Sequence, residues 1–173
     1  KFDEWVLDHA VINQVAGLRF FNVFGHNEYH KGEMRSVIAK AYERLIREGK
    51  ISLFKSYKKE YADGEQKRDF IYVKDAVDVV MFFLENPKVN GIFNLGSGKA
   101  RTWNDLAKSL FAAVGRPAHI EYIDMPEHLR AQYQYFTEAD MARLRQHGYK
   151  KSFTPLEEAV RDYVQYLKHH AYL

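Results

Sequence analysis

The sequence contains no cysteine. A disulfide framework is thereby excluded, and with it any zinc, redox or nucleophile chemistry that depends on a thiolate. Long apolar runs are missing too. The longest, Val79 to Leu84, falls far short of the roughly 20 residues that a bilayer-spanning helix needs, and the opening residues are charged rather than patterned like a signal peptide. Membrane and secreted classes therefore do not fit, and the cytoplasm is the expected compartment. No sign of charge dominates: 26 basic side chains face 23 acidic ones, for a net charge of +3. Lysines and arginines alternate with acids in almost every segment instead of lining one face. The pI near 8.9 thus reflects solvated basicity and implies no nucleic-acid partner. Internal repeats, low-complexity tracts and long linkers are also absent.

What is present suits a globular domain. At 173 residues, 46% of them hydrophobic, one domain is the default and its core needs no metal or disulfide staple. Phe2, Trp5, Val6, His9 and Ala10 make an amphipathic pattern with no capping residue ahead of it, as in a chain joined in mid-helix. Gly17 to Gly25 is nearly continuous in apolar residues, the pattern of a strand buried on both faces of a parallel sheet, with function just beyond its carboxyl end. Residues 26 to 34 have loop composition. Val37 to Ile46 then takes helical spacing closed by Gly49, followed by a strand at Ile51 to Phe54. Lys55 to Lys67 reads as an exposed loop, Phe70 to Val73 as a strand, and Asp75 as the cap of a helix that ends at Asn86-Pro87. Gly91 to Gly96 is a further strand. Thr102 to Asp105 predicts a capping box for a helix stopped by Gly115, and His119 to Ile123 alternates like a strand. Thr137 to His147 predicts a short helix, and Leu156 to Leu167 a last amphipathic one. Strands alternating with helices place the chain in the α/β class.

Few segments carry chemistry of their own. Gly96-Ser97-Gly98-Lys99-Ala100-Arg101 follows a strand and precedes a helix, as a dinucleotide fingerprint should. However, Arg101 stands where helix packing asks for a residue without bulk, so a turn whose glycines allow positive φ is the better reading. Lys31, between His30 and Gly32, is an acid/base candidate if its surroundings depress its pKa, and otherwise a plain loop lysine. His26 and His30 have no evident third ligand, so no metal is expected. Arg68 suits either a bidentate grip on phosphate oxygens or a structural ion pair. Tyr133, Tyr135 and Phe136 suit core or lid packing, or a wall beside a sugar or base ring.

Leu18 to Gly25, Arg68 to Asp75 and Phe93 to Gly98 occur in an order that resembles the second half of the extended short-chain dehydrogenase/reductases acting on nucleotide sugars. His26 to Met34, Ile120 to Ile123 and Tyr133 to Asp140 are similar to the branch that inverts C6 of an ADP-linked heptose. The resemblance implies an α/β fold: the C-terminal part of a Rossmann-type enzyme with its small α/β substrate-binding domain. Late Rossmann elements would occupy about 1–25 and 70–98, and substrate-domain elements about 26–69 and 99–173. It also implies that the glycine-rich NADP loop and the Tyr-x-x-x-Lys pair belong to a missing N-terminal half. Lys1 is no stand-in for that lysine, because it lies just before Phe2-Asp3, which match an aromatic-Asp pair that follows the family's lysine.

By the same resemblance the complete enzyme is a cytoplasmic homo-oligomer with NADP as cofactor and ADP-heptose as substrate, supplying a lipopolysaccharide-core precursor. This chain alone is expected to be inactive. Lys31 matches the second acid/base and a cofactor contact, and Val23 a backbone contact to the cofactor. Asn22, Phe54, Arg68 and Tyr133 match substrate contacts. The sequence departs from the family at Glu33 and Lys40, where serine and histidine are expected, and carries extra residues within Lys55 to Lys67. Another nucleotide-sugar epimerase or dehydratase, or a non-catalytic nucleotide-sugar-binding module, stays open as the alternative.

Overall fold

The computed structural model describes residues 1–170. In chain order it forms α1 (Phe2–Asp8), β1 (Ala16–Phe20), β2 (Asn22–Phe24), α2 (Val37–Glu48), β3 (Ile51–Phe54), β4 (Lys67–Tyr72), α3 (Val73–Glu85), β5 (Gly91–Leu95), β6 (Ala100–Thr102), α4 (Trp103–Val114), β7 (Ile120–Ile123), α5 (Glu127–Arg130), α6 (Ala142–Gln146) and α7 (Leu156–His169), with short 3-10 turns at Ile12–Gln14 and Tyr29–Met34. The α/β class is as expected. Three parallel pairings organise it: β1 with β5, β2 with β4, and β3 with β7. On its other edge β4 pairs antiparallel with β6, a three-residue strand the sequence reading missed, its Ala-Arg-Thr stretch being too short to show a period.

The expected continuous strand is two strands. The amide of Phe21 still reaches the Leu95 carbonyl at 2.9 Å, but the next residues turn to β4. Among the described residues β1 has a neighbour on one edge only, and Phe20 is 54% exposed. Burial on both faces therefore holds at Phe24 but not along β1, where Arg19 reaches the Asp3 carboxylate of α1 at 2.6 Å and Phe20 on the opposite face stays exposed. The turn that follows needs glycine. Gly25 has φ +153° and sits against α3, where a Cβ would run into Val73.

Two apolar clusters form the core. The larger packs α2, α4 and α7 around Phe24, Leu53, Phe70 and Tyr72. The smaller sets Val79 and Phe83 of α3 and Phe93 and Leu95 of β5 against Met141, Leu144 and Tyr149. Strand β4 serves both, sending Phe70 and Tyr72 one way and Ile71 the other, as the period of two requires.

Helix ends follow the sequence where capping chemistry is local. Thr102 and Asp105 close the expected capping box, and Gly115 ends α4 in the left-handed region. Asp75 is different. Tyr72 occupies the cap position of α3, and the Asp75 carboxylate in the first turn accepts from the Thr154 amide (2.8 Å) and hydroxyl (2.9 Å), tying α3 to the entry of α7. The helix expected at Thr137 to His147 begins only at Ala142, because the Ala139 amide is drawn to Asp69 at 2.9 Å. The Lys55 to Lys67 segment is less exposed than expected. Gln66 is buried and donates to the Phe54 and Lys55 carbonyls, and Asn104 holds the Asp63 carbonyl at 3.0 Å.

Candidate functional site

Helix α2 is anchored by a residue that the sequence did not single out. Glu28, 5% exposed, accepts from the Ser36 amide at 2.8 Å, the Ser36 hydroxyl at 2.5 Å and the Tyr163 hydroxyl at 2.6 Å. Burial, reinforced by this bond, pushes the Tyr163 phenol far above its ordinary range. Ser36 in turn caps α2 by accepting from the Ala39 amide. A lone glutamate in a polar loop carries no sign of this, since its partner on α7 is 135 positions away.

Between α2 and the carboxyl ends of β3 and β7 opens a cleft of about 390 Å³, lined by Val37, Arg44, Leu53, Phe54, Ile123, Trp103 and Tyr133 among others. That volume falls in the range of small-molecule sites. Phe54 and Tyr133 meet edge to face, 6.3 Å between ring centroids. Arg68, 8% exposed, lies behind this wall with its guanidinium 5.2 Å from the Tyr133 ring centre and 5.9 Å from that of Trp103. Among the described residues no carboxylate pairs with Arg68; its one hydrogen bond is to the Lys67 carbonyl at 2.8 Å. Burial pulls its pKa down from the ordinary arginine range. The structural ion pair weighed for Arg68 is thus not made. Burial also pushes the Tyr133 phenol up, against the pull of Arg68.

Asn22 and Val23 adjoin this cleft. They line a smaller pocket of about 70 Å³ that shares Val37 and Trp103 with the larger one. Five of the six residues singled out from the sequence are therefore gathered: Phe54, Arg68 and Tyr133 around one cleft, and Asn22 and Val23 beside it. Lys31 stands apart on the exposed 3-10 turn, its amide held by the Glu28 carbonyl at 3.0 Å, just ahead of Gly32 at φ 53°. Arg44 at the mouth of the cleft went unnoticed, because an arginine on the charged side of a helix looks like any solvated residue. Glu33 and Lys40, the two departures, are partners: the Lys40 ammonium donates to the Glu33 carbonyl at 2.9 Å and lies 4.0 Å from its carboxylate.

The glycine-rich turn holds an internal anion. One Asp69 oxygen accepts from the Ser97 amide (2.6 Å) and hydroxyl (2.7 Å), and the other from the Gly98 and Ala139 amides (both 2.9 Å). A Cβ on Gly96 would collide with this carboxylate, and Gly98 takes φ +72°. The turn does not fit a dinucleotide pyrophosphate, since its donors are already taken. His26 is 7% exposed and stacked on Tyr166 with centroids 4.6 Å apart, and among the described residues no three potential metal ligands lie together. None of the described helices is long and apolar enough to cross a membrane.

The chain is similar to known epimerases in sequence and in fold. The ADP-L-glycero-D-manno-heptose-6-epimerase of Nitratidesulfovibrio vulgaris strain DP4 is 57% identical over 167 residues, 96% of this chain and 52% of that protein. The protein of the same name from Fusobacterium nucleatum subsp. nucleatum is 46% identical over 95% of this chain and 52% of its own length. The crystal structure of the Helicobacter pylori ADP-L-glycero-D-manno-heptose-6-epimerase superposes with a TM-score of 0.78 at 27% identity, covering 96% of this chain and 48% of the other. UDP-N-acetylglucosamine 4-epimerase from Methanobrevibacter ruminantium M1, at 23% identity and a TM-score of 0.80, shares the fold. The chain spans about half the length of the curated relatives it matches. Residues 3–96, which run from α1 through β5 into the Asp69-filled turn, match the model of the NAD dependent epimerase/dehydratase family, and the chain belongs to that family.

Proposed function

We propose that this chain is the C-terminal portion of a nucleotide-sugar 6-epimerase that inverts C6 of the heptose in ADP-glycero-manno-heptose by transient oxidation to a ketone, supplying a precursor of the lipopolysaccharide core. The names of the relatives above support the substrate. In this reading, residues at about 1–25 and 70–98 complete a Rossmann domain and the remainder forms the substrate domain. NADP is the cofactor, held mainly by the half of the enzyme outside this chain, with Val23 and Lys31 as this chain's contacts to it. The complete enzyme works as a homo-oligomer, and the chain alone is inactive.

The observation that carries the reading is the Arg68 guanidinium, buried beside the cleft between two aromatic rings with no carboxylate among the described residues to neutralise it. A buried cation without a partner is costly, and a diphosphate supplies two anionic groups matched to its planar fork. Phe54 and Tyr133 flank the nucleotide, while Asn22 approaches the reacting sugar. Inversion through a ketone requires a proton donor and acceptor on each face of C6, and Lys31 serves at the C6 oxygen on one of them. In the complete enzyme Arg68→Lys replaces a fork by a point charge. Loss of about 1.5–3 kcal/mol of substrate binding is expected, read as a raised KM for ADP-heptose. Unchanged KM and kcat would take Arg68 out of the site.

A further inference from the structure

We infer that Arg44 covers the nucleoside end of the bound nucleotide sugar and sets affinity for the base, an assignment that rests on reading the cleft as a nucleotide-sugar site. The other basic side chains from Arg35 to Arg47 are already paired. Arg35 pairs with Glu43, Lys40 is tied back to Glu33, and Arg47 holds Glu48 at 2.8 Å. Arg44 alone among them has no hydrogen bond or ion pair within the described residues, and it lines the cleft.

Its place along the cleft decides what it meets. Val37 is shared with the pocket of Asn22 and Val23, so the reacting sugar belongs at that end. Arg44 comes seven residues later on the same helix, a rise of about 10 Å. Arg68, near Trp103, which both pockets share, and Tyr133, which lines only the larger one, takes the diphosphate between these ends. What reaches Arg44 is then the nucleoside, lying across the apolar wall of Leu53, Phe54 and Ile123. A planar guanidinium stacks on such a ring, which an ammonium does poorly. No Asp or Glu lines the cleft to compete for it.

The test compares ADP with inorganic pyrophosphate, titrated calorimetrically into the complete enzyme and its Arg44→Ala and Arg44→Lys variants. Arg44 is exposed and makes no hydrogen bond or ion pair among the described residues, so both variants are expected to fold. Arg44→Ala should weaken ADP about two- to thirty-fold, the span of a cation-on-ring contact, and leave pyrophosphate unchanged; Arg44→Lys should recover only part of the loss. Unaltered ADP affinity in Arg44→Ala overturns the assignment. So does an equal loss for pyrophosphate, or full recovery by lysine, either of which would make Arg44 a bare charge near the phosphates. Wild-type enzyme that binds pyrophosphate but not ADP, or neither, overturns the nucleotide-sugar reading itself, an outcome visible before any variant is made.

Discussion

Arg68 and Asp69 are neighbours on β4 with opposite circumstances. The aspartate is saturated by four donors, whereas the arginine has no anionic partner among the described residues. Asp69→Asn keeps the shape but turns an acceptor into a donor facing other donors. The cost should be roughly 1–3 kcal/mol for each N–H left unpaired, seen as a lower urea midpoint with an unchanged slope. Lys31 invites a different experiment. In the complete enzyme Lys31→Met should abolish epimerisation while NADP binding persists, since positioned proton transfer is typically worth about 10²–10⁴ in rate; parent-rate epimerisation would make it an ordinary loop lysine. At this scale the sequence was partly legible. Arg68 and Tyr133 stand in stretches that resemble the family. The roles of Asp69 and Glu28 were not readable, because the partners of Asp69 and the Tyr163 partner of Glu28 lie 28 to 135 positions away and depend on the packed fold.

Elements were legible wherever their determinants were local. The capping box of α4, the glycine stops of α2 and α4 and the amphipathic stripe of α7 all stand where their patterns place them. The failures came where a distant group competed. Asp69 captured the segment that helical spacing assigned to α6, and Thr154 captured the carboxylate expected to cap α3. The packing of β2 against α7 supplies a test of its own through His26. Its ring is held below the ordinary 6.5, chiefly by burial and further by Lys74, against the opposing pull of Asp162. The unfolded chain therefore accepts a proton that the folded chain resists. The contribution of His26 is complete above about pH 6.5 and is lost as the pH falls from there toward its folded-state pKa. Replacing the ring by an untitratable one, His26→Phe, should flatten this part of the stability profile when denaturation midpoints are compared between pH 7.5 and 5.5, with the Lys74 and Asp162 pair left intact.

For the whole molecule, class and order of elements were readable, but strand partnership was not. Gly17 to Gly25 looks like one strand because apolar continuity says nothing of which neighbour each residue meets, and only the closed topology divides it between β5 and β4. The alternation along β4 has a consequence for how the chain melts. Phe70 and Tyr72 are bricks of one apolar cluster and Ile71 of the other, so neither cluster keeps its wall once that strand is pulled away. The two cores should consequently lose their structure as a single cooperative unit. In scanning calorimetry the measured enthalpy should equal the van't Hoff enthalpy in one peak, and weakening the strand by Ile71→Ala, at a cost of about 2–5 kcal/mol, should shift that peak down without splitting it. Two resolved transitions would mean that β4 is a partition between independently folding halves and not their common beam.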